Sequence, residues 1–377
     1  MNKSSRMHNE IKRSSTVPRA RRAARQDGLV PAAIGLDVGD RQSHFCILAD
    51  DGQTIAEGKV PTTPEALRQF LAGLIPTRVA LESGTHSGWI SRLAESLKHE
   101  AIVANPRELR KIHQSDRKND RADAQVLARM ARFDPQLLAP IQHRSAEMQA
   151  DIAMIRARDT LVGARTKFVN AVRGHVKTTG KRLTRCSTRC FARQVTEQLP
   201  SELHEALLPM VQAIAALSEQ IQVYDRQIAV LAKTRYPVTQ VLRQVNGVGP
   251  VTSVAFVLTL ADPLRFTKSR DVGAYLGLVP RQDDSGDRVS QLPITKAGNR
   301  LLRRLLVGSA QYILGPFGPD CDLRRYGEKL MQRGGKNAKK RAVVGVARKL
   351  AVLLHRLWTT GEMYCPLRNS QEVSKAA

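Results

Sequence analysis

At 377 residues and 42% hydrophobic content, the chain is long enough for two or three domains with true cores and too apolar to be wholly disordered. Its 60 Lys and Arg against 34 Asp and Glu leave a net charge of +26, which points to a polyanionic partner, nucleic acid rather than a membrane surface. Aromatics at 4% disfavour a base-stacking platform and favour backbone contacts by Arg and Lys. The five cysteines (Cys46, Cys186, Cys190, Cys321, Cys365) are odd in number and scattered, the pattern of reduced thiols in a cytoplasmic protein. Cys186 and Cys190 lie one helical turn apart, but no second pair nearby completes a zinc site. No apolar run reaches the ~20 residues of a membrane span, and the N-terminus lacks the apolar region of a secretory signal.

Residues 1–30 are polar and rich in arginine (Arg19, Arg21, Arg22, Arg25) without a hydrophobic period, and read as a disordered basic arm. Residues 31–143 alternate strand and helix. Ile34, Leu36 and Val38 alternate with Ala33, Gly35 and Asp37, so a strand puts the Asp37 carboxylate opposite the bulky side chains. Its companions Ala33, Gly35 and Gly39 are small, and are expected to leave room beside it for a metal ion and a phosphate. An apolar run at 45–49 and the turn Asp50-Asp51-Gly52 then send a second strand back along 53–60. A helix over 64–74 capped by Thr63, a strand over 77–82, a helix over 86–97 and a strand over 101–104 follow. Glu82 again sits opposite the bulky residues, Val79 and Leu81.

Lys118-Asn119-Asp120-Arg121-Ala122-Asp123 opens a helix running to about 132, with Asp120 and Asp123 on one face above Leu127 and Met130. Two acids at the head of a stripe that packs on the sheet are costly unless something neutralises them. An N-cap role for Asp120 and a first-turn charge at Asp123 would also account for them. The pattern is that of an α/β domain whose strand ends point carboxylates into one crevice.

Residues 144–235 carry two long helical patterns, over 145–177 and 203–231. In the second, Ile214, Leu217, Ile221, Tyr224, Ile228 and Leu231 recur at threes and fours, a coiled-coil-like seam that suggests a homo-oligomer (dimer or tetramer) or equally a helix folded back within one chain. Arg165, Lys167, Arg173, Lys177, Lys181 and Arg182 have few acids among them, and read as a phosphate-contact surface. Residues 236–366 are mainly helical. There, Gln244-Val245-Asn246-Gly247-Val248-Gly249-Pro250 resembles a helix-hairpin-helix in which Gly247 and Gly249 let backbone N–H groups approach a DNA phosphate. A polar loop over 281–290 separates two further motifs. Lys296, Asn299 and Arg303 extend the nucleic-acid-binding set, and 367–377 form a tail.

Asp37, Glu82, Asp120 and Asp123 make a set of four carboxylates. Like charges a few Å apart repel, whereas hard divalent cations bind such oxygen clusters. Two Mg²⁺ ions ~3.5–4 Å apart would serve phosphoryl transfer. With these residues the sequence resembles the DEDD transposases of bacterial insertion sequences, relatives of the Piv-type DNA invertases and of RNA-guided recombinases. The resemblance rests on Ile34-Gly35-Leu36-Asp37-Val38, Leu81-Glu82-Ser83 and Lys118-Asn119-Asp120-Arg121-Ala122-Asp123-Ala124 in the first domain. In the last it rests on Asn246-Gly247-Val248-Gly249-Pro250, Tyr275-Leu276-Gly277-Leu278-Val279-Pro280, Ser285-Gly286 and Ile294-Thr295-Lys296-Ala297-Gly298-Asn299.

The resemblance implies a RuvC-like RNase H-fold first domain with Asp37, Glu82, Asp120 and Asp123 as ligands to Mg²⁺, with Mn²⁺ as a substitute. It further implies a C-terminal transposase domain whose Ser285 is the nucleophile, a structured guide RNA that pairs with donor and target DNA, and multimers acting on recombination synapses, in a bacterial cytoplasmic protein that joins the nucleoid when bound to DNA. By chemistry alone Asp283-Asp284-Ser285-Gly286-Asp287 is also a plain acidic turn, and Ser290 is a second candidate. Two other functions use the same residues: a metal-dependent junction resolvase with water as nucleophile, and a non-catalytic nucleic-acid-binding protein.

Overall fold

The alternating residues at the start of the first domain form strand β1 (Pro31–Asp37), paired antiparallel with β2 (Gln42–Ala49). The turn at Gly52, which takes a left-handed conformation, returns β3 (Thr54–Pro61). The computed structural model describes residues 30–106, 119–282 and 292–369. Most of the basic arm, Lys118, Ser285, Ser290 and the end of the tail therefore lie outside the described residues. Helix α1 (Pro64–Leu71) starts where the Thr63 hydroxyl accepts from Ala66 N at 3.2 Å, with Pro64 in the first turn where no N–H is needed. Strand β4 (Arg78–Glu82), helix α2 (Ser87–Ser96) and strand β5 (Glu100–Ala104) complete a sheet of order β3-β2-β1-β4-β5. Strand β4 is parallel to both β1 and β5.

One face of this sheet buries Ile34, Leu36, Phe45, Ile47, Val79 and Leu81 beneath Leu67, Phe70, Ile90 and Leu93. The other is covered by helix α3 (Asp120–Phe133), through Leu127 and Ala131 on Ala33 and Ala80, and Ala124 and Ala128 on Cys46 and Leu48. This corrects one expectation. A Cβ on Gly35 would stand 1.9 Å from Ala124 O and 2.5 Å from Ala128 N, so the small residues of β1 admit a helix backbone rather than an ion. Beneath α3, burial first and then Glu57 push the Cys46 thiol up to about 11, which makes it a neutral packing group.

The described residues divide into two compact units at Ala146 and Glu147. In the second, helices α4 (Ala146–Thr178) and α6 (His204–Thr234) run antiparallel, joined through the short α5 (Phe191–Val195). Asp151 accepts from Arg235 and Tyr236, each at 2.7 Å; Arg158 pairs with Asp225 at 2.6 Å; Arg165 donates to Ser218 Oγ at 3.2 Å. Burial, and then the Asp151 carboxylate, push the Tyr236 phenol up, so it stays a donor. The seam of α6 is thus covered by its own chain. Ile228 and Leu231 pack with Ile152 and Ile155 at one end, and Leu207, Val211 and Ile214 pack with Val169, Val172 and Phe191 at the other. A seam satisfied in this way is no longer an argument for a homo-oligomer.

The remaining helices are α7 (Thr239–Leu242), α8 (Pro250–Leu260), α9 (Asp271–Tyr275), α10 (Arg300–Ile313), α11 (Asp322–Gln332) and α12 (Ala338–Thr360). Helix α8 is buried on all sides from Thr252 to Leu260 and is the axis of this core, which also takes in Ile152, Ile155, Ile228 and Leu231. The class is the expected one, a mixed α/β sheet followed by a largely helical remainder. Among the described residues no helix is long and apolar enough to cross a membrane.

Candidate active site

Two contacts fix the direction of α3 over the sheet. Arg78, at the start of β4, donates to Ala131 O near the end of α3 at 3.2 Å, while Gly35 in mid-β1 lies under Ala124. The helix therefore runs against β1 and β4, and its head lies at their carboxyl ends. Asp37 and Glu82 are the last residues of those strands, so all four acids share one end of the sheet. Asp37 and Glu82 line a cavity of about 390 Å³ together with Val38, Asp40, Ser83, Gly84, Thr85 and His86. The Asp120 carboxylate stands 3.7 Å from Nε2 of His44, the residue paired with Asp37 across β1 and β2.

Asn119, not Asp120, caps α3: its side chain accepts from Arg121 N at 3.1 Å. Asp120 has no capping duty, and its side chain is 61% exposed. Asp123 is half-buried in the first turn. Among the described residues no three His, Cys, Asp or Glu side chains are drawn together as a ligand cluster. In kind, though, the set fits a hard divalent cation: four oxygen donors at one end of a sheet, two of them in one cavity.

The segment after Glu82 is pinned from behind. Ser87 Oγ donates to Gly84 O at 2.8 Å, accepts from Gly84 N at 3.0 Å, and lies 2.9 Å from His143 Nε2. With the hydroxyl proton committed to Gly84, His143 is the donor in that third bond. Burial first, then Arg92 and Arg144, hold the His143 pKa below its ordinary 6.5. The folded state thus binds fewer protons than the unfolded one, and the stability this contributes is present above pH 6.5 and lost as the pH falls below it. Wild-type protein is expected to lose more thermal stability than His143→Gln between pH 7.5 and 5.5, read by circular dichroism melts.

Of the cations on the α4 hairpin, Lys167, Lys177 and Arg182 face solvent, and Lys181 pairs with Glu202 at 3.2 Å. Arg165 and Arg173 turn inward. Burial, and then Arg158, lower the pKa of Arg165, and Arg173 lies 5.3 Å over the Phe191 ring. Between α7 and α8, Gly247 is left-handed (φ +87°), and a Cβ there would meet Tyr312 at 3.0 Å and Ser309 O at 3.1 Å. Gly249 faces open space.

The motifs at 275–280 and 294–299 form one clasp. Thr295 N donates to Val279 O at 2.9 Å, Lys296 N to Gly277 O at 3.1 Å, and Arg281 N to Pro293 O at 3.0 Å. A Cβ on Gly277 would stand 2.2 Å from Ala297 N. Arg303 braces the clasp by donating to Leu276 O at 2.9 Å and Ala297 O at 2.6 Å, and the Asn299 side chain caps α10 by accepting from Leu302 N at 3.0 Å. Lys296 is exposed, in a left-handed conformation (φ +55°) uncommon for a side-chain-bearing residue. The clasp holds side by side the two chain segments that flank 283–291.

Sequence reasoning missed His44, His86 and His143. The first two stand close to the acids, and the only available signal was the position of His86 four residues beyond Glu82.

Residues 34–180 match the DEDD model of IS110 elements, described as Transposase, and residues 239–320 match the model described as Transposase IS116/IS110/IS902 family. The first stretch holds the four acids, and the second holds the Gly247 turn and the clasp. The transposase for insertion sequence element IS1111A of Coxiella burnetii is 32% identical over 66% of this chain and 68% of its own length. The transposase for insertion sequence element IS1328 of Yersinia enterocolitica is 31% identical over 74% and 82%. A probable family 20 transposase of Pseudomonas aeruginosa is 31% identical over 80% and 89%. With its acids and its clasp each inside a matched stretch, the chain belongs to the IS116/IS110/IS902 family of insertion-sequence transposases.

Proposed function

We propose that this protein cuts and rejoins DNA strands with Asp37, Glu82, Asp120 and Asp123 as ligands to Mg²⁺ and Ser285 as nucleophile, directed by a structured RNA from its own element. The observation that carries this reading is the ending of β1 and β4 in Asp37 and Glu82 on one cavity, at the end of the sheet where α3 starts with Asp120 and Asp123. The strand order β3-β2-β1-β4-β5, with an antiparallel first half and a parallel second half, supports the RuvC-like RNase H-fold reading.

Bound to the four carboxylates, a divalent cation supplies Lewis-acid polarisation of the phosphate and a lowered pKa for an attacking hydroxyl. Ser285 Oγ attacks the scissile phosphorus and gives its proton to solvent, while the strand oxygen leaves as a free hydroxyl end. The phosphoserine ester keeps the bond energy, and attack by a hydroxyl end of a new partner regenerates the serine. Lys167, Lys177, Arg182 and Lys296, and the open side of Gly249, give the nucleic-acid backbones their contacts.

Ser285→Ala is the test. It is expected to bind DNA as the wild type does while losing both strand cleavage and the denaturation-resistant protein–DNA adduct. Retained cleavage without an adduct would mean that water is the nucleophile and the enzyme a nuclease.

A further inference from the structure

The cavity shared by Asp37 and Glu82 also holds the imidazole of His86, at the N-cap of α2. One turn on, Trp89 Nε1 donates to His86 Nδ1 at 3.1 Å, the two rings standing edge to face at 89°. An indole N–H can only donate, so Nδ1 keeps its lone pair and the ring proton of the neutral imidazole is on Nε2. That N–H lies 3.5 Å from Asp40 Oδ1, on a carboxylate 92% exposed and free to swing aside. The ring thus carries a fixed donor directed at an anionic oxygen on the cavity wall. In this tautomer Nε2 has no lone pair for a metal, so His86 is not a further ligand.

We propose that His86 Nε2–H donates to a non-bridging oxygen of the scissile phosphate, replacing its contact with Asp40, and that Trp89 holds the tautomer in which it can do so. This rests on the reading that the cavity beside Asp37 and Glu82 receives that phosphate. No proton is transferred. The bond offsets charge that grows on the phosphate oxygens as the strand is attacked, so it is stronger in the transition state than in the ground state.

The full chain is compared with His86→Phe, His86→Gln and Trp89→Phe in Mg²⁺-dependent cleavage and in DNA binding with Ca²⁺. His86→Phe removes the donor and is expected to slow cleavage about 10²-fold with DNA affinity unchanged. His86→Gln keeps an N–H donor and is expected to recover most of the rate. Nitrogen-15 spectra of the metal-free protein give a readout apart from activity: Nδ1 unprotonated in the wild type, and a tautomer mixture in Trp89→Phe. Wild-type cleavage by His86→Phe, equal inactivity of the Phe and Gln variants, or a protonated Nδ1 in the wild type would each overturn the proposal. Asp37→Asn separates the two readings. If it is inactive while His86→Phe is not, only the role of His86 fails; if it too cleaves normally, the cavity is not the active site.

Discussion

Asp37→Asn is expected to lose Mg²⁺-dependent strand cleavage by more than the roughly 100-fold that removal of a mere outer-shell partner costs a metal site. DNA affinity measured with Ca²⁺ is expected to stay within about twofold, because backbone binding is carried by Lys and Arg. Glu82→Gln shares this outcome and adds a second sign. In metal-free buffer it removes one of several like charges from one end of the sheet, so it should melt at or above the wild type. Lost activity joined to unchanged or raised stability marks a carboxylate held for function. A carboxylate held for structure would give the reverse, and oligonucleotide cleavage set beside thermal melts distinguishes them.

Gly35→Ala is expected to damage the fold and the site together. The added methyl would stand 1.9 Å from the Ala124 carbonyl oxygen and 2.5 Å from Ala128 N, both backbone atoms, so no neighbouring side chain can rotate away. Overpacking a core costs ~1–3 kcal/mol, and this substitution belongs at or above the upper end of that range. Helix α3 can relieve the collision only by lifting off β1, which carries Asp120 and Asp123 away from Asp37 and Glu82. Cleavage should therefore fall along with the melting temperature. Gly163→Ala is the contrast: it lies within α4 with open space around it, and should stabilise by about 0.5–1 kcal/mol. Urea unfolding of both variants checks the signs.

Strands and helices of the first unit were legible because their signals are local. Alternation over 33–38, the Asp50-Asp51-Gly52 turn and Thr63-Pro64 each act within a few residues. The same local rules put Asp37 and Glu82 at strand ends and Asp120 and Asp123 in the first turn of a helix, where they are found. They did not show what the small face of β1 was for, since a glycine that admits a helix looks like one that admits an ion. Nor did they separate Asn119 from Asp120 as the cap, because both residue types cap well and a boundary shift of one residue exchanges their roles.

Periodicity in α6 gave the buried face but not its partner, which is α4 of the same chain. Arginines were the hardest to read. A guanidinium with five donors suits a phosphate or a set of carbonyls equally, so Arg303 looked like a DNA contact and is found bracing the clasp. His86 was invisible for a related reason, because the hydrogen bond to its ring comes from a Trp three residues on.

The most direct test is to locate the ions. Crystals of the full chain with DNA, grown in Mn²⁺, would give anomalous density for the bound metal. The expected result is a pair of peaks ~3.5–4 Å apart at the carboxyl ends of β1 and β4, each within ligand distance of oxygens from Asp37, Glu82, Asp120 and Asp123. Density held by other residues, or none at that end of the sheet, would contradict the assignment of these four acids.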